Sequence, residues 1–435
     1  MPGAGFALTL DGVASDIHHT IETVFRIEQA RLIGGLARMV RDIGLAEELA
    51  QDALVAALAE WPKSGVPRNP GAWLMAAAKR RAIDGFRRRA MMARKHAEIG
   101  HELEAGQNAG QNAGMDAMEA ALDDDTGDER LALIFTACHP ILSPDARAAL
   151  TLRLIGGLST AEIARAFLAK EATIAQRIVR ARKAIADAGL AFAVPRGPER
   201  AERLASVLEV VYLIFNEGYA ATAGVALTRP DLCREAQRLG RVLAGLLPEE
   251  PEALGLLALM ELQASRLAAR LGADGMPLSL LEQNRARWDM LLIRRGLAAL
   301  RRAEALGGGD GPYALQAALA ACHATARRAE DTDWRRIAAL YGRLFRAMPS
   351  PVVALNRAIA HGMAFGPEAG LVLLDVLEAG DALAHYAPLP AARGDCLLRA
   401  GRPDDARAQF EKAAALSRNA AEQRFLLRRA AACGG

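Results

Sequence analysis

Apolar residues recur three or four positions apart through most of this 435-residue chain, and Pro or Gly residues separate the segments that show this pattern. Such spacing gives each segment one apolar stripe on a helix. The pattern begins near Ile17, and a second helix is predicted over about 45–61, ending at Pro62. No alternating run bounded by turns indicates a strand. The sequence therefore predicts an all-α fold, with more than one domain at this length.

Two blocks of opposite charge follow each other early in the chain. Residues 68–96 contain nine Lys or Arg and one acid, whereas residues 98–129 contain ten acids and no Lys or Arg. The acidic block includes the low-complexity sequence GQNAGQNAG, which has little ability to form a core. This pattern indicates a nucleic-acid-facing surface followed by a flexible linker.

The basic block includes a predicted helix from Pro70 to Arg89 that mixes apolar and basic residues. Its cations would neutralise phosphates, and an aromatic ring beside them can stack on an unpaired base. The mixed face contains Trp73, Lys79, Arg80, Asp84, Arg87 and Arg88. The alternative is a solvated basic helix end with Trp73 in the core.

Residues 158–186 have the pattern of a helix-turn-helix. Ser159 and Glu162 form a capping box that opens a short helix. The next helix has a buried stripe of Ile174, Ile178, Ala181 and Ile185, and its opposite face presents Thr173, Gln176, Arg177, Arg180 and Lys183. These side chains suit base edges and phosphates in a major groove. An ordinary helical hairpin remains the alternative, because Leu168 replaces the usual turn glycine and Lys170 replaces a capping Ser.

Together these segments resemble extracytoplasmic-function sigma factors of the sigma-70 family. The resemblance implies a region 2 helical bundle over 17–95, an acidic flexible linker over 96–130 and a region 4 helix-turn-helix over 131–192. In region 2, residues 45–62 resemble the helix that docks on the β′ clamp of core RNA polymerase, and the matching positions are Glu47, Glu48, Gln51 and Asp52. The basic helix resembles the part that reads the −10 element, although Asn is common in the family where Arg80 stands. The helix-turn-helix resembles the −35 reader.

Residues 199–435 are predicted to form a C-terminal helical extension. Leu397–Leu416 has the residue spacing of a tetratricopeptide helix pair, and similar units precede it. Polar and aromatic clusters at 216–219 and 283–289 either line a pocket or groove or make hydrogen bonds between helices. The hypothesis is that this extension modulates sigma activity through a protein partner.

Five scattered cysteines without a CxxC pair support neither a disulfide framework nor a zinc site. The sequence shows no catalytic constellation, metal-ligand spacing, cofactor motif or membrane span, so a non-enzymatic cytoplasmic protein without a cofactor is expected. The predicted partners are core RNA polymerase and promoter DNA. Two other interpretations remain: a DNA-binding regulator that acts without polymerase, and a tetratricopeptide scaffold.

Overall fold

The structure is a computed structural model that describes residues 8–99, 129–219, 228–272, 277–417 and 419–433. Within these residues the regular elements are 18 α-helices and three short 3₁₀ helices, with an isolated β-bridge between Leu271 and Pro277, which confirms the predicted all-α fold. The chain divides into two compact units. The first comprises residues 1–165 and 169–210, and the second comprises 166–168 and 211–435.

The first unit begins with a bundle of long helices. Helix α1 packs against the next two helices, and their core includes Ile33, Leu36 and Trp61. Asp42 caps the second helix by accepting a hydrogen bond from the Leu45 backbone N–H at 3.0 Å. The three helices are α1 (Leu8–Val40), α2 (Ile43–Ser64) and α3 (Pro70–Ile99).

Shorter helices complete the first unit. Gly34 of α1 allows close approach to this group, because a Cβ atom there would overlap the backbone carbonyl of Glu129. Phe135, Leu150 and Leu152 are fully buried in its core. The helices are α4 (Glu129–Ala137), α5 (Pro144–Leu154), α6 (Thr160–Ala166), α7 (Glu171–Asp187) and the first half of α8 (Pro198–Tyr219).

The second unit is a succession of helices, most of which pack mainly against their neighbours in the chain, whereas the helix Pro312–Thr325 packs mainly against the helix Pro251–Ala264. This arrangement is typical of helical-repeat proteins. The helices are α9 (Pro230–Leu246), α10 (Pro251–Ala264), α11 (Met290–Ala305), α12 (Pro312–Thr325), α13 (Trp334–Ala347), α14 (Pro351–Phe365), α15 (Pro367–Glu378), α16 (Pro388–Arg399), α17 (Pro403–Leu416) and α18 (Ala420–Ala432). Seven of these ten begin at a Pro, whose fixed φ suits the first helical turn.

Several helix ends differ from the sequence prediction. Helix α1 begins at Leu8 rather than near Ile17, and α3 continues past Arg89 to Ile99, into the predicted linker. Helix α2 includes Pro62 in its last turn and ends where the Gly65 N–H bonds to the Trp61 carbonyl at 2.9 Å. Backbone hydrogen bonds fix these helix ends, and the spacing of apolar residues does not predict where such bonds stop. Residues 100–128 of the predicted linker lie outside the described residues.

Candidate nucleic-acid interface

Helix α7 separates a buried stripe from an exposed polar face, as its sequence predicts. Ile174, Ile178, Ala181 and Ile185 are each at most 4% exposed. On the other side, four of the five predicted −35 contacts are exposed to solvent: Thr173, Gln176, Arg180 and Lys183. A hydroxyl, an amide and two cations on one helical face can donate to base edges and phosphates.

Arg177 is the fifth predicted contact on α7, and its surroundings differ. It is half-buried, and its guanidinium lies 3.1 Å from the carboxylate of Asp145 in α5. A cation that is paired with a carboxylate of its own protein has less charge to offer a phosphate. The structure therefore groups Arg177 with the contacts that position α7 rather than with its open face.

The start of α6 is held by local contacts. The Glu162 carboxylate accepts hydrogen bonds from the Ser159 backbone N–H at 2.7 Å and hydroxyl at 2.8 Å, while the Glu162 N–H bonds to the Ser159 oxygen at 3.2 Å. The backbone bond and then the hydroxyl bond lower the pKa of Glu162 below its ordinary value of 4.5. The capping box is therefore present.

The two departures from a typical helix-turn-helix are also visible. Leu168 has φ +49°, the left-handed conformation that the usual glycine adopts more readily. Lys170 occupies the cap position of α7 and makes no side-chain capping bond. The turn therefore has a strained backbone at Leu168 and no side-chain cap at Lys170.

Helix α3 presents the second predicted basic face. Arg80, Asp84, Arg87 and Arg88 are exposed, and Lys79 is half-buried. Arg80 and Arg88 donate to carbonyl oxygens one turn back on their own helix, at 3.3 and 3.4 Å. Such exposed bonds are weak. The exposed arginines of this face therefore remain available to a phosphate backbone.

Trp73 is half-buried at the start of α3 rather than fully within the core. Its ring meets that of Trp61 edge to face, with centroids 5.3 Å apart at 67°. Trp61 is 1% exposed. Trp73 therefore has a fixed orientation and still shows part of its ring to solvent, which is compatible with both interpretations of this residue.

The four predicted polymerase contacts on α2 have different surroundings. Glu48 and Asp52 are exposed, and Gln51 is half-buried. Asp52 also lies 3.3 Å from the Arg81 guanidinium of α3. Glu47, in contrast, is 5% exposed. Three of the four side chains therefore share an accessible surface.

Glu47 is held by two arginines from the helix-turn-helix part of the first unit. Arg153 of α5 lies 2.7 Å from its carboxylate, and Arg182 of α7 binds the other oxygen. We call these three residues the Glu47 clamp. Its role was not predicted, although Arg182 follows Ile178 by four residues and so lies beside the buried stripe of α7.

A second unpredicted contact fixes α8 in the first unit. Arg147 of α5 donates to the Ser206 hydroxyl and lies 3.0 Å from the Glu209 carboxylate. Ser206 in turn donates to the Cys138 carbonyl at 2.5 Å. Burial raises the pKa of the Cys138 thiol to about 11, so it is not a reactive thiolate.

The described parts of the chain contain no group of three or more His, Cys, Asp or Glu placed to hold a metal ion. None of the described helices is both long and apolar enough to cross a membrane.

Comparisons with known proteins match three parts of the chain. The model "Sigma-70 region 2" matches residues 24–91, and "Sigma-70, region 4" matches residues 132–185. A family of unknown function (DUF6596) matches residues 203–304. The region 2 match includes α2 and most of α3, and the region 4 match includes both helices of the helix-turn-helix. The order along the chain is that of the sigma-70 family.

An uncharacterized protein of Rhizobium meliloti (strain 1021) is 42% identical over 394 residues, which cover 91% of each chain. No solved structure matches. Proteins of the sigma-70 family are transcription initiation factors that recognise promoters, and they are not enzymes. The two region matches, on the helices that present the basic faces, show that this chain belongs to the sigma-70 family of sigma factors.

Proposed function

We propose that this chain is an extracytoplasmic-function sigma factor that binds core RNA polymerase and directs initiation at a specific set of promoters. The observation that carries the proposal is the exposed face of α7, where Thr173, Gln176, Arg180 and Lys183 lie opposite a fully buried stripe. This face lies within the part that matches sigma region 4.

In this proposal α7 reads the −35 element. Gln176 and Arg180 have the groups that form bidentate contacts with adenine and guanine in the major groove. Thr173 and Lys183 contact the phosphate backbone and fix the position of the helix. Arg177 contributes by holding α7 against Asp145 of α5.

Helix α3 reads the −10 element. Arg80, Arg87 and Arg88 follow the backbone of the opened strands, and the exposed part of Trp73 stacks on an unpaired base. Asp84 lies among these cations and repels phosphates, so it favours contact with the edge of a base that donates a hydrogen bond. Lys79 is half-buried, so in this proposal it adds positive charge to this surface without contacting the bases.

Core polymerase docks on α2 through the accessible side chains of Glu48, Gln51 and Asp52. Glu47 joins this surface only when Arg153 and Arg182 release it, because it is buried in the Glu47 clamp. The first unit therefore has two arrangements in this proposal. The free protein keeps the clamp closed, and the polymerase-bound protein opens it.

The C-terminal extension modulates this activity through a protein partner. Its successive helices resemble tetratricopeptide pairs, and α15 exposes Val372 and Val376 one turn apart, at 64% and 71%. Exposed apolar pairs of this kind are common in protein interfaces.

Val372→Glu with Val376→Glu, in the full chain, should alter promoter activity only when the partner is present.

Binding to core polymerase tests the proposal against the alternative of an independent DNA-binding regulator. The full chain should co-elute with core polymerase in size-exclusion chromatography, and Glu48→Arg with Asp52→Arg should weaken the complex. Glu60→Arg is the matched control, because Glu60 is an exposed acid on the same helix. A chain that binds promoter DNA but never associates with core polymerase would establish the alternative.

A further inference from the structure

The second unit contains a cavity of about 500 Å³ that promoter recognition does not use. Residues of α8, α10, α12, α13 and α14 surround it, and all of them belong to this unit. Its polar lining includes Tyr212, Gln263, Arg266, Trp288, His323 and Tyr341. The volume lies within the range of small-molecule sites.

Arg266 gives this cavity a positive charge. Its guanidinium donates to the Gln263 side-chain oxygen and lies 5.5 Å from the centroid of the Tyr219 ring. No Asp or Glu is among the residues that line the cavity, and the side-chain partner of the Arg266 guanidinium is the amide oxygen of Gln263 rather than a carboxylate. The cavity therefore favours an anion and disfavours a cation.

Two ring nitrogens of the lining residues have no hydrogen-bond partner in the described structure. They are Nε1 of Trp288, a residue that is 5% exposed, and Nδ1 of His323. An unsatisfied buried N–H is unfavourable, and a bound acceptor that reached the Trp288 N–H would relieve it.

The titratable rings of the cavity are neutral at pH 7. Burial, followed by the charges of Arg266 and Arg285, lowers the pKa of His323 to about 4. Burial raises the pKa of Tyr341 to about 12, so its hydroxyl keeps its proton. Arg266 is therefore the single cation that lines the cavity, which suits a ligand with one negative charge.

Part of the cavity wall is apolar. Leu259, Leu262, Ile337 and Leu344 line it, and Tyr212 meets Tyr313 edge to face with centroids 5.5 Å apart. Such a wall takes the hydrocarbon or aromatic body of a ligand while the polar groups take its charged end.

We propose that this cavity binds a small organic monocarboxylate with an apolar or aromatic body. Its carboxylate pairs with Arg266, and its body lies against the leucines. The extension is thereby a small-molecule receptor, a property that does not depend on how the first unit recognises promoters. A polyanion is disfavoured, because a single cation faces it.

The proposal is tested by ligand-observed NMR and calorimetry on the full chain. The probes are 4-phenylbutyrate, indole-3-acetate and octanoate, each compared with its uncharged amide. At least one acid should bind, and about tenfold more tightly than its amide, because the amide cannot form the charge-assisted bond to Arg266. Failure of all three acids to bind, or equal binding of acid and amide, would overturn the proposal.

Variants locate the binding. Arg266→Gln should remove the preference for acid over amide, whereas Arg301→Gln, an exposed arginine of α11, should keep it. Ala320→Phe should abolish binding of both by filling the cavity, since Ala320 lines it. Circular dichroism reports whether each variant folds. The comparison of acid with amide on the wild-type chain tests the preference for a carboxylate without any variant. Wild-type preference that survives in both Arg266→Gln and Ala320→Phe would place the binding elsewhere and contradict the proposal.

Discussion

Helices α3 and α7 are both basic, but they use their arginines differently. On α7, Arg177 lies 3.1 Å from Asp145 and Arg182 binds Glu47, so two cations hold the helix within the first unit. On α3, a single described arginine, Arg81, pairs with Asp52 of α2, whereas Arg80 and Arg88 make only weak bonds to their own backbone among the described contacts. Charge counted along the sequence does not separate these cases. The exposure and the ion pairs of each side chain separate these cases, and they indicate which cations remain available to nucleic acid.

The largest effect should come from the paired arginines. Arg153→Ala with Arg182→Ala leaves Glu47 as a buried carboxylate without a cation. This should lower the free energy of local unfolding of α2 and α7 by about 3 kcal/mol. Hydrogen exchange of the α2 and α7 backbone amides measures that free energy. Arg180→Ala, an exposed arginine on the same helix, should change it by less than about 0.5 kcal/mol. Equal effects would show that the two classes of arginine do not differ.

The second-largest effect is expected from the exposed cations of α7. Arg180→Glu with Lys183→Glu should weaken binding to a promoter fragment by about thirtyfold, or about 2 kcal/mol, because a base contact and a phosphate contact become repulsive. Fluorescence anisotropy measures the affinity. Arg294→Glu with Arg301→Glu reverses two exposed charges on α11 and serves as the control. A similar loss in the control would mean that net charge, and not the face of α7, determines affinity.

The exposed cations of α3 should act mainly through salt dependence. Arg87→Ala with Arg88→Ala should reduce the slope of log affinity against log salt by about 0.7 per residue on single-stranded DNA, and should reduce affinity by about tenfold. Binding of the sigma factor with core polymerase to a fragment opened at its −10 element measures both. Lys63→Ala, at the end of α2, is the control. An unchanged slope would exclude these arginines from contact with phosphate.

The smallest effect concerns the capping box that precedes α7. Ser159→Ala should lower the local stability of α6 by about 1 kcal/mol, while Ser64→Ala at the end of α2 should not affect α6. The folded pKa of Glu162 is depressed, so its stabilising contribution is present above pH 4.5 and is lost as pH falls through the folded pKa. Hydrogen exchange of the α6 amides across that pH range should show this loss. The loss should be reduced in Ser159→Ala, and an identical pH dependence in both proteins would contradict this assignment.

Local patterns in the sequence were sufficient for the all-α fold and for the two faces of α7, because helical spacing and a capping box depend on residues within a few positions of each other. The pairing of Glu47 with Arg153 and Arg182 joins residues more than a hundred positions apart. No periodic signal reports such a contact. For the same reason, the sequence left residues 216–219 and 283–289 open between pocket lining and interhelical hydrogen bonds, and it gave no sign that Arg266 lines the same cavity as Asn216 and Trp288. The predicted contacts with polymerase and with promoter DNA stay predictions.

The central claim is that this chain brings core RNA polymerase to promoters by means of the exposed face of α7. In vitro transcription with core polymerase, the full chain and genomic fragments, with start sites mapped, tests it most directly. The wild-type chain and the Arg294→Glu, Arg301→Glu control should produce transcripts from the same defined start sites, and Arg180→Glu with Lys183→Glu should abolish them. Absence of defined starts with the wild-type chain, or identical starts with the α7 variant, would contradict the claim.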